Sequence, residues 1–218
     1  MIAHTVKQGT PEWLKLRSGI PTASCLHKIL TPTGKASSQA DGYLAQLAAE
    51  WFLGEPIEEK SSQFMDRGTG MEPEARVWYS FETDRNVVEV GFCTTDDGKA
   101  GCSPDGLVDE DGGLEIKCPG AATQMDYFLN GVEKEYRVQV QGNLWITGRK
   151  WWQLLVYNPY LPKAMPVFER DDKYIWLLAE AVGEFNARLD MARARLADRK
   201  ADYDAMREAE ALASDHPF

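Results

Sequence analysis

The chain has 218 residues, of which 44% are hydrophobic and 11% aromatic, and this is enough to bury the core of a single globular domain. No apolar run is long enough to span a membrane, and the N-terminus lacks the charged start and apolar segment of a signal peptide, so we expect a cytoplasmic protein without a membrane partner. A net charge of −10, from 24 Lys and Arg against 34 Asp and Glu, argues against nonspecific binding of nucleic acid through phosphate contacts alone, although bound cations reverse the sign of a carboxylate-rich site.

The first third of the chain carries helical signals. Predicted helices cover residues 11–18, 22–30, 43–52 and 64–81. Thr10 followed by Pro11 is typical of a helix N-cap with proline in the first turn. Gly68 and Gly70 are expected to interrupt the fourth helix near its start, and a polar loop is expected at residues 31–39.

Short strands are predicted in the middle of the chain, at residues 87–92, 100–103, 106–108 and 114–118. Turn-forming residues separate them, so we expect an antiparallel meander. The remaining predicted elements are helices at 124–129 and 133–146, strands at 151–157 and 165–169, and a long charged helix at 172–212 in which Gly183 is the weak point. The fold class that follows is α/β, with one domain over residues 1–218 and a small mixed β-sheet flanked by helices.

Cysteine usage argues against a zinc site and against a disulfide framework. Cys25, Cys93, Cys102 and Cys118 form no CxxC pair, and the three histidines do not cluster near them. We therefore expect free thiols.

Three charged residues follow a pattern that suits catalysis. Asp105 lies in a tight Ser-Pro-Asp-Gly turn between two predicted strands, and Glu115 and Lys117 alternate on the next strand. Because strand side chains alternate, Glu115 and Lys117 share one face while Ile116 points to the core. Asp105 can then approach Glu115 from the neighbouring strand.

Two carboxylates so placed suit Mg²⁺, which takes oxygen ligands and keeps several waters. The backbone carbonyl of Ile116 offers a third ligand, and such a metal can activate a bound water. Lys117 would lie beside that water, as a general base if its pKa is depressed or as an electrostatic anchor. Taken alone the pattern is weak, because charged residues on a strand face are usually just solvated.

Six stretches in collinear order extend the pattern over about residues 8–190. They are Trp13 with Leu16-Arg17 and Thr22-Ala23-Ser24, then residues 68–76 (GTGMEPEAR), 102–107 (CSPDGL) and 114–119 (LEIKCP), Tyr136 with Gln139-Val140-Gln141, and residues 169–174 (ERDDKY). In this order the sequence resembles the lambda exonuclease family, also called the YqaJ-like viral recombinases. The resemblance implies a PD-(D/E)xK, restriction-endonuclease-like core.

The resemblance also implies which residues bind metal. The ligands would be Asp105, Glu115, the carbonyl of Ile116 and Glu72, for one or two Mg²⁺ ions that Mn²⁺ is expected to replace. Glu72 matches the acid that this family contributes from a helix, and Glu74 is the neighbouring alternative.

Further site residues follow from the same resemblance. Gln139 matches the glutamine that lies beside the lysine, so the catalytic set would be Lys117, Glu115, Asp105, Gln139 and Glu72. Tyr136, one helical turn earlier, and Gln141 would support that set. Arg17, Ser24 and Ser103 match the family's pocket for a 5′-phosphate, where an arginine fork and two hydroxyls suit phosphate oxygens.

The implied function is a Mg²⁺-dependent 5′→3′ exonuclease. It would degrade one strand of linear double-stranded DNA from a 5′-phosphorylated end to mononucleotides, leaving 3′ overhangs for phage-type homologous recombination. Implied partners are DNA ends, two further copies of the chain in a trimeric ring, and a single-strand annealing protein, in the cytoplasm of a bacterial host of a phage or prophage. The loop around Lys35 and residues 60–66 are candidates for gripping the duplex end.

Two other interpretations stay open. One is a non-processive endonuclease or an RNA-cutting relative on the same fold, which would share the catalytic residues without depending on a 5′-phosphate. The other is a catalytically inactive DNA-binding recombination module. It is disfavoured because the acids, the lysine and the glutamine are all present.

Overall fold

The computed structural model describes residues 1–57 and 63–214. In chain order the elements are β1 (Ile2–His4), α1 (Pro11–Arg17), a 3₁₀ helix (Ala23–Lys28), α2 (Ala40–Leu53), α3 (Gln63–Thr83), β2 (Val87–Val88), β3 (Phe92–Thr94), β4 (Gly101–Cys102), β5 (Gly106–Val108), β6 (Gly112–Lys117), α4 (Ala121–Asn130), α5 (Glu133–Thr147), β7 (Trp151–Val156), β8 (Val167–Glu169) and α6 (Asp172–Ser214). Within these ranges, no helix combines the length and apolar character that a membrane crossing requires.

The strand β6 lies at the centre of a five-stranded mixed sheet of order β2-β5-β6-β7-β8. It pairs antiparallel with β5 and parallel with β7, in a register that runs from Gly112 opposite Trp151 to Lys117 opposite Val156. Parallel neighbours need a crossover connection, and α4 and α5 supply it. The predicted small mixed sheet is therefore confirmed.

Helices cover both faces of this sheet. On one face, Val140 and Leu144 of α5 pack with Trp152 and Leu154 of β7. On the other face, α3 packs through Ala75 and Tyr79 against Leu114 and Ile116 of β6 and Leu155 of β7. A third cluster joins the 3₁₀ helix to α2, α5 and α6. The α/β class with flanking helices is confirmed by this arrangement.

Glycines allow β6 to lie directly under two tryptophans. A Cβ atom on Gly112 would lie 2.0 Å from the ring of Trp151, and one on Gly113 would lie 2.2 Å from the ring of Trp152. Cβ atoms at these distances would force the two rings to move, so the packing requires the double glycine at the start of β6.

Several sequence predictions differ from the structure in their details. The predicted strand at 87–92 divides into β2 and β3, which belong to different sheets. The division falls at Gly91, where the chain passes so close to Val6 that a Cβ atom would lie 1.6 Å from the Val6 carbonyl oxygen. The meander is accordingly split, and β1, which pairs with β3, was not predicted.

Two helix predictions also change. The second helix is a 3₁₀ helix, and α3 runs without a break from Gln63 to Thr83, so the predicted interruption at Gly68 and Gly70 is wrong. The four cysteines are free, as expected. The candidate segment 60–66 falls outside the residues whose side chains the structure describes.

Candidate active site

The strand β6 carries an acid and a lysine that are joined by an ion pair. Glu115 is 4% exposed, and Lys117 donates from Nζ to Glu115 Oε1 over 2.7 Å. Ile116, between them, is buried against α3. The alternation predicted from the sequence is the one that the strand adopts.

Asp105 lies next to this pair, in the turn that precedes β5. Its Oδ2 accepts a hydrogen bond from the backbone N–H of Ile116 over 2.6 Å, and its backbone carbonyl accepts one from Arg76 Nε over 2.8 Å. Burial, reinforced by the negative charge of Glu115, raises the pKa of Asp105 well above its ordinary value. A buried carboxyl with this environment favours a nearby cation.

Amide side chains of α5 hold the carboxylate of Glu115 from the other side. Gln139 Nε2 donates to Glu115 Oε1 over 2.6 Å, and Asn143 Nδ2 donates to Glu115 Oε2 over 3.2 Å. The two amides are four residues apart, so they occupy the same face of the helix. The sequence motif identified Gln139, whereas Asn143 was not among the predicted site residues.

Two neighbouring glutamates on α3 have different partners. The pKa of Glu72 is raised, mainly by burial, with Lys117 opposing the shift and Glu115 adding to it. Glu74 instead accepts a hydrogen bond from the hydroxyl of Tyr157 over 2.7 Å. The structure therefore couples Glu72 with the strand residues and places Glu74 in a different contact.

The oxygen ligands fit a hard divalent cation in their chemistry. Asp105, Glu115 and Glu72 act on one another electrostatically around a single lysine, and an all-oxygen donor set is the one that Mg²⁺ prefers. As placed, no set of three His, Cys, Asp or Glu side chains within residues 1–57 and 63–214 has the spacing of a metal site. Asp105 and Glu115 instead direct oxygens to protein N–H groups.

The charge state of Lys117 bears on the two roles considered for it. Burial lowers the pKa of Lys117, but Glu115 and Asp105 raise it more, and the net direction is upward. The raised pKa favours the protonated form of Lys117. A bound cation would oppose this shift, so the electrostatic anchor and the general base stay open as roles for Lys117.

A cavity of about 180 Å³ joins the predicted phosphate pocket to three of the five predicted catalytic residues, since Asp105 and Glu72 are not among its lining residues. Its walls include Arg17, Ser24 and Ser103 together with Glu115, Lys117, Gln139 and Asn143. One continuous space thus contacts residues from α1, the 3₁₀ helix, β6 and α5.

The side of the cavity that carries the predicted phosphate-binding residues is built around Ser103. Its hydroxyl lies 2.8 Å from Arg17 Nη1 and 3.0 Å from the indole nitrogen of Trp13. The indole N–H also lies 3.0 Å from the carbonyl oxygen of Gly91, and the guanidinium of Arg17 lies 4.2 Å from the centroid of the Trp13 ring. Trp13 was noted in the sequence only as part of a motif, and the structure gives it a place in the cavity wall.

The two predicted supporting residues occupy different places. The ring of Tyr136 lies 5.3 Å from Lys117 Nζ, which is a cation–π distance. Gln141 binds the backbone at the junction of β8 and α6, donating to the carbonyl of Glu169 and accepting from the N–H of Asp171. The structure therefore brings Tyr136, but not Gln141, to the cluster around Lys117.

Comparisons with known proteins identify the family and the fold of the chain. The model of the YqaJ-like viral recombinase domain matches residues 12–150. The alkaline exonuclease LHK-Exo from Laribacter hongkongensis is 34% identical, with a TM-score of 0.78 over 89% of this chain and 100% of that chain, and its complex with dAMP superposes with a TM-score of 0.79 over the same shares.

A more distant structure shares the fold alone. It is a phage related exonuclease from Haemophilus somnus 129PT, which is 15% identical, with a TM-score of 0.63 over 81% of this chain and 96% of that chain. No curated protein matches the sequence.

Proposed function

The chain belongs to the YqaJ-like viral recombinase family, and from this premise we propose that it is a metal-dependent 5′→3′ exonuclease of linear double-stranded DNA. It removes mononucleotides from one strand, starting at a 5′-phosphorylated end. The products are free nucleotides and a 3′ single-stranded overhang that serves phage-type homologous recombination. The similarity to an alkaline exonuclease over most of the chain supports the reaction class.

The observation that carries the proposal is the shared cavity. Arg17 and Ser103 offer a guanidinium and a hydroxyl to an anion, and Lys117 and Glu115 line the same space. An enzyme that binds a terminal phosphate beside its reacting groups cleaves at a fixed distance from an end of the DNA. The charge of −10 is compatible with this, because recognition is local to one groove.

The catalytic roles follow from the contacts of each residue. Asp105, Glu115, Glu72 and the carbonyl of Ile116 would hold one or two Mg²⁺ ions, for which Mn²⁺ substitutes. When bound, the metal supplies an activated water and stabilises charge on the departing oxygen.

The chain's own cations and amides position the reacting groups. Lys117, held by Glu115, lies beside the attacking water, as an electrostatic anchor or as a general base. Gln139 keeps the Glu115 carboxylate in place. Arg17, Ser24 and Ser103 hold the 5′-phosphate, so that the scissile bond lies one nucleotide further into the cavity.

The wider biology is proposed on family membership alone. A homotrimeric ring around the DNA would make degradation processive, and a single-strand annealing protein would receive the 3′ overhang. The chain would act in the cytoplasm of a bacterial cell that carries the phage or prophage.

The test is digestion of a linear duplex labelled at each end in turn, with Mg²⁺ or EDTA, and with or without a 5′-phosphate. Labelled mononucleotides should leave 5′ ends only with metal, and faster with the phosphate. Internal fragments would indicate an endonuclease. Intact DNA under every condition would favour the catalytically inactive DNA-binding module.

Two lysine variants test the assignment of Lys117 to the active site. Lys117→Ala should remove cleavage. Lys150→Ala should keep it, because Lys150 precedes β7 at the opposite end of the sheet and pairs with Asp111.

A further inference from the structure

The two oxygens of the Glu115 carboxylate are held by different donors. Oε1 accepts from Lys117 Nζ over 2.7 Å and from Gln139 Nε2 over 2.6 Å. Oε2 accepts from Asn143 Nδ2 over 3.2 Å. Contacts to Oε1 alone would leave the carboxylate free to turn about its terminal bond, whereas contacts to both oxygens fix its plane.

Asn143 is suited to this contact by its position. It is 1% exposed, and it lines the cavity together with Lys117 and Gln139. Thr147, one turn further along α5, donates from its hydroxyl to the backbone carbonyl of Asn143 over 2.7 Å. A buried amide needs a partner, and for the Asn143 side chain that partner is a carboxylate proposed to bind metal.

We propose that Asn143 is a positioning residue that sets the orientation of Glu115 for divalent-cation binding, an inference that rests on the proposed function. In this role Asn143 acts on the carboxylate of Glu115 rather than directly on the cation or the DNA. It acts by keeping one oxygen of Glu115 in a fixed direction, so that less ordering is required when the cation binds. Hydrogen-bond partners of metal ligands typically contribute about 10- to 100-fold in metal affinity or activity.

A purely structural role for the same amide has to be separated from this one. Asn186 provides the matched control, because it is also buried, at 9% exposure, and its Nδ2 donates over 3.0 Å to the backbone carbonyl of Lys99. Asn186→Ala removes the same atoms from the protein as Asn143→Ala does. Any loss of Mn²⁺ affinity that comes only from deleting a buried amide should appear in both variants.

The experiment is calorimetric titration of the DNA-free proteins with Mn²⁺. Asn143→Ala should bind Mn²⁺ about 10- to 100-fold more weakly than the wild type, and Asn186→Ala should bind it as the wild type does. Asn143→Ser, which keeps a hydroxyl donor on a shorter side chain, should fall between them. Thermal unfolding in EDTA establishes that each variant is folded, and Asn143→Ser carries the comparison if Asn143→Ala is not.

The outcomes separate this inference from the proposed function. Equal Mn²⁺ affinity in the wild type and the folded Asn143 variant would overturn the positioning role, even if the wild type degrades DNA. An Asn143-dependent affinity in a protein that leaves DNA intact would support the positioning role while the exonuclease proposal fails. A wild type that binds no Mn²⁺ would overturn both.

Discussion

The guanidinium of Arg17 and the hydroxyl of Ser103 are 2.8 Å apart, although 86 residues separate them in the sequence. The contact connects α1 to the turn that carries Asp105, so the proposed phosphate site and the proposed metal site share one segment of backbone. Trp13 extends the same arrangement through its own contact with Ser103. The groups of the proposed phosphate site on Trp13, Arg17 and Ser103 are therefore held together by contacts within the protein.

Arg17→Ala should reduce the preference for 5′-phosphorylated over 5′-hydroxyl ends by about tenfold or more. Hydrogen bonds to charged groups contribute about 1.5–3 kcal/mol, and about 1.4 kcal/mol corresponds to a factor of ten. Initial rates on two duplexes that differ only in the terminal phosphate give the ratio. Arg188→Ala is the control, because Arg188 pairs with Asp41 on the surface. An unchanged ratio in Arg17→Ala would remove Arg17 from the phosphate site.

Asp105→Asn should stabilise the metal-free protein while it abolishes cleavage. Burial and Glu115 raise the pKa of Asp105, so the folded protein holds this proton at pH values where the unfolded chain has lost it. Stability therefore decreases as the pH rises above the ordinary pKa of aspartate. Removal of the titrating group should therefore raise the free energy of unfolding at pH 8 in EDTA.

Denaturant unfolding of the wild type and Asp105→Asn, in EDTA and in excess Mg²⁺, measures this effect. Mg²⁺ should stabilise the wild type, because a ligand that binds only the folded state raises its stability. It should stabilise the variant less. A variant that is less stable than the wild type in EDTA would contradict the unfavourable charge assigned to Asp105.

The sequence predicted the arrangement of Asp105, Glu115 and Lys117 because the signals for it are local. Alternation places Glu115 and Lys117 on one face, and the Ser-Pro-Asp-Gly turn places Asp105 beside them, as the contact between Asp105 and the N–H of Ile116 demonstrates. Asn143 could not be found in this way. Its contact with Glu115 depends on how α5 packs, and an asparagine in a helix carries no signal of that packing.

The errors in the fold prediction also come from contacts between distant parts of the chain. The sequence pattern predicted one strand at residues 87–92, but the strand divides at Gly91, where the backbone closely approaches Val6. That approach is a contact between segments far apart in the chain. The strand β1 is equally nonlocal, since Ile2 pairs with Thr94. The hydrophobic periodicity of a short stretch of sequence cannot predict either contact.

Gly113→Ala and Gly183→Ala should shift stability in opposite directions. A Cβ atom on Gly113 would lie 2.2 Å from the ring of Trp152, which is fully buried, and such overpacking typically costs about 1–3 kcal/mol. Gly183 lies on α6 with no described atom within 4 Å of an added Cβ. Its replacement should therefore raise stability by up to about 1 kcal/mol, through helix propensity.

The free energy of unfolding from denaturant titration gives both values. Near-ultraviolet circular dichroism reports whether the Trp152 environment changes in Gly113→Ala. Equal stability of the wild type and Gly113→Ala would mean that β6 can move away from the tryptophan, and the packing argument for the double glycine would then be wrong.

Glu72→Gln and Glu74→Gln test which acid of α3 belongs to the active site. Glu72 interacts electrostatically with Lys117 and Glu115, whereas Glu74 accepts a hydrogen bond from Tyr157, which a glutamine oxygen can also accept. Glu72→Gln should therefore lower the rate of nucleotide release in Mg²⁺ by about tenfold or more. Glu74→Gln should stay within about twofold of the wild type, because its replacement keeps the contact with Tyr157. Both substitutions remove one negative charge and conserve side-chain size, so a difference in rate between them shows at which position the charge is needed. The reverse pattern would place Glu74 in the catalytic set instead.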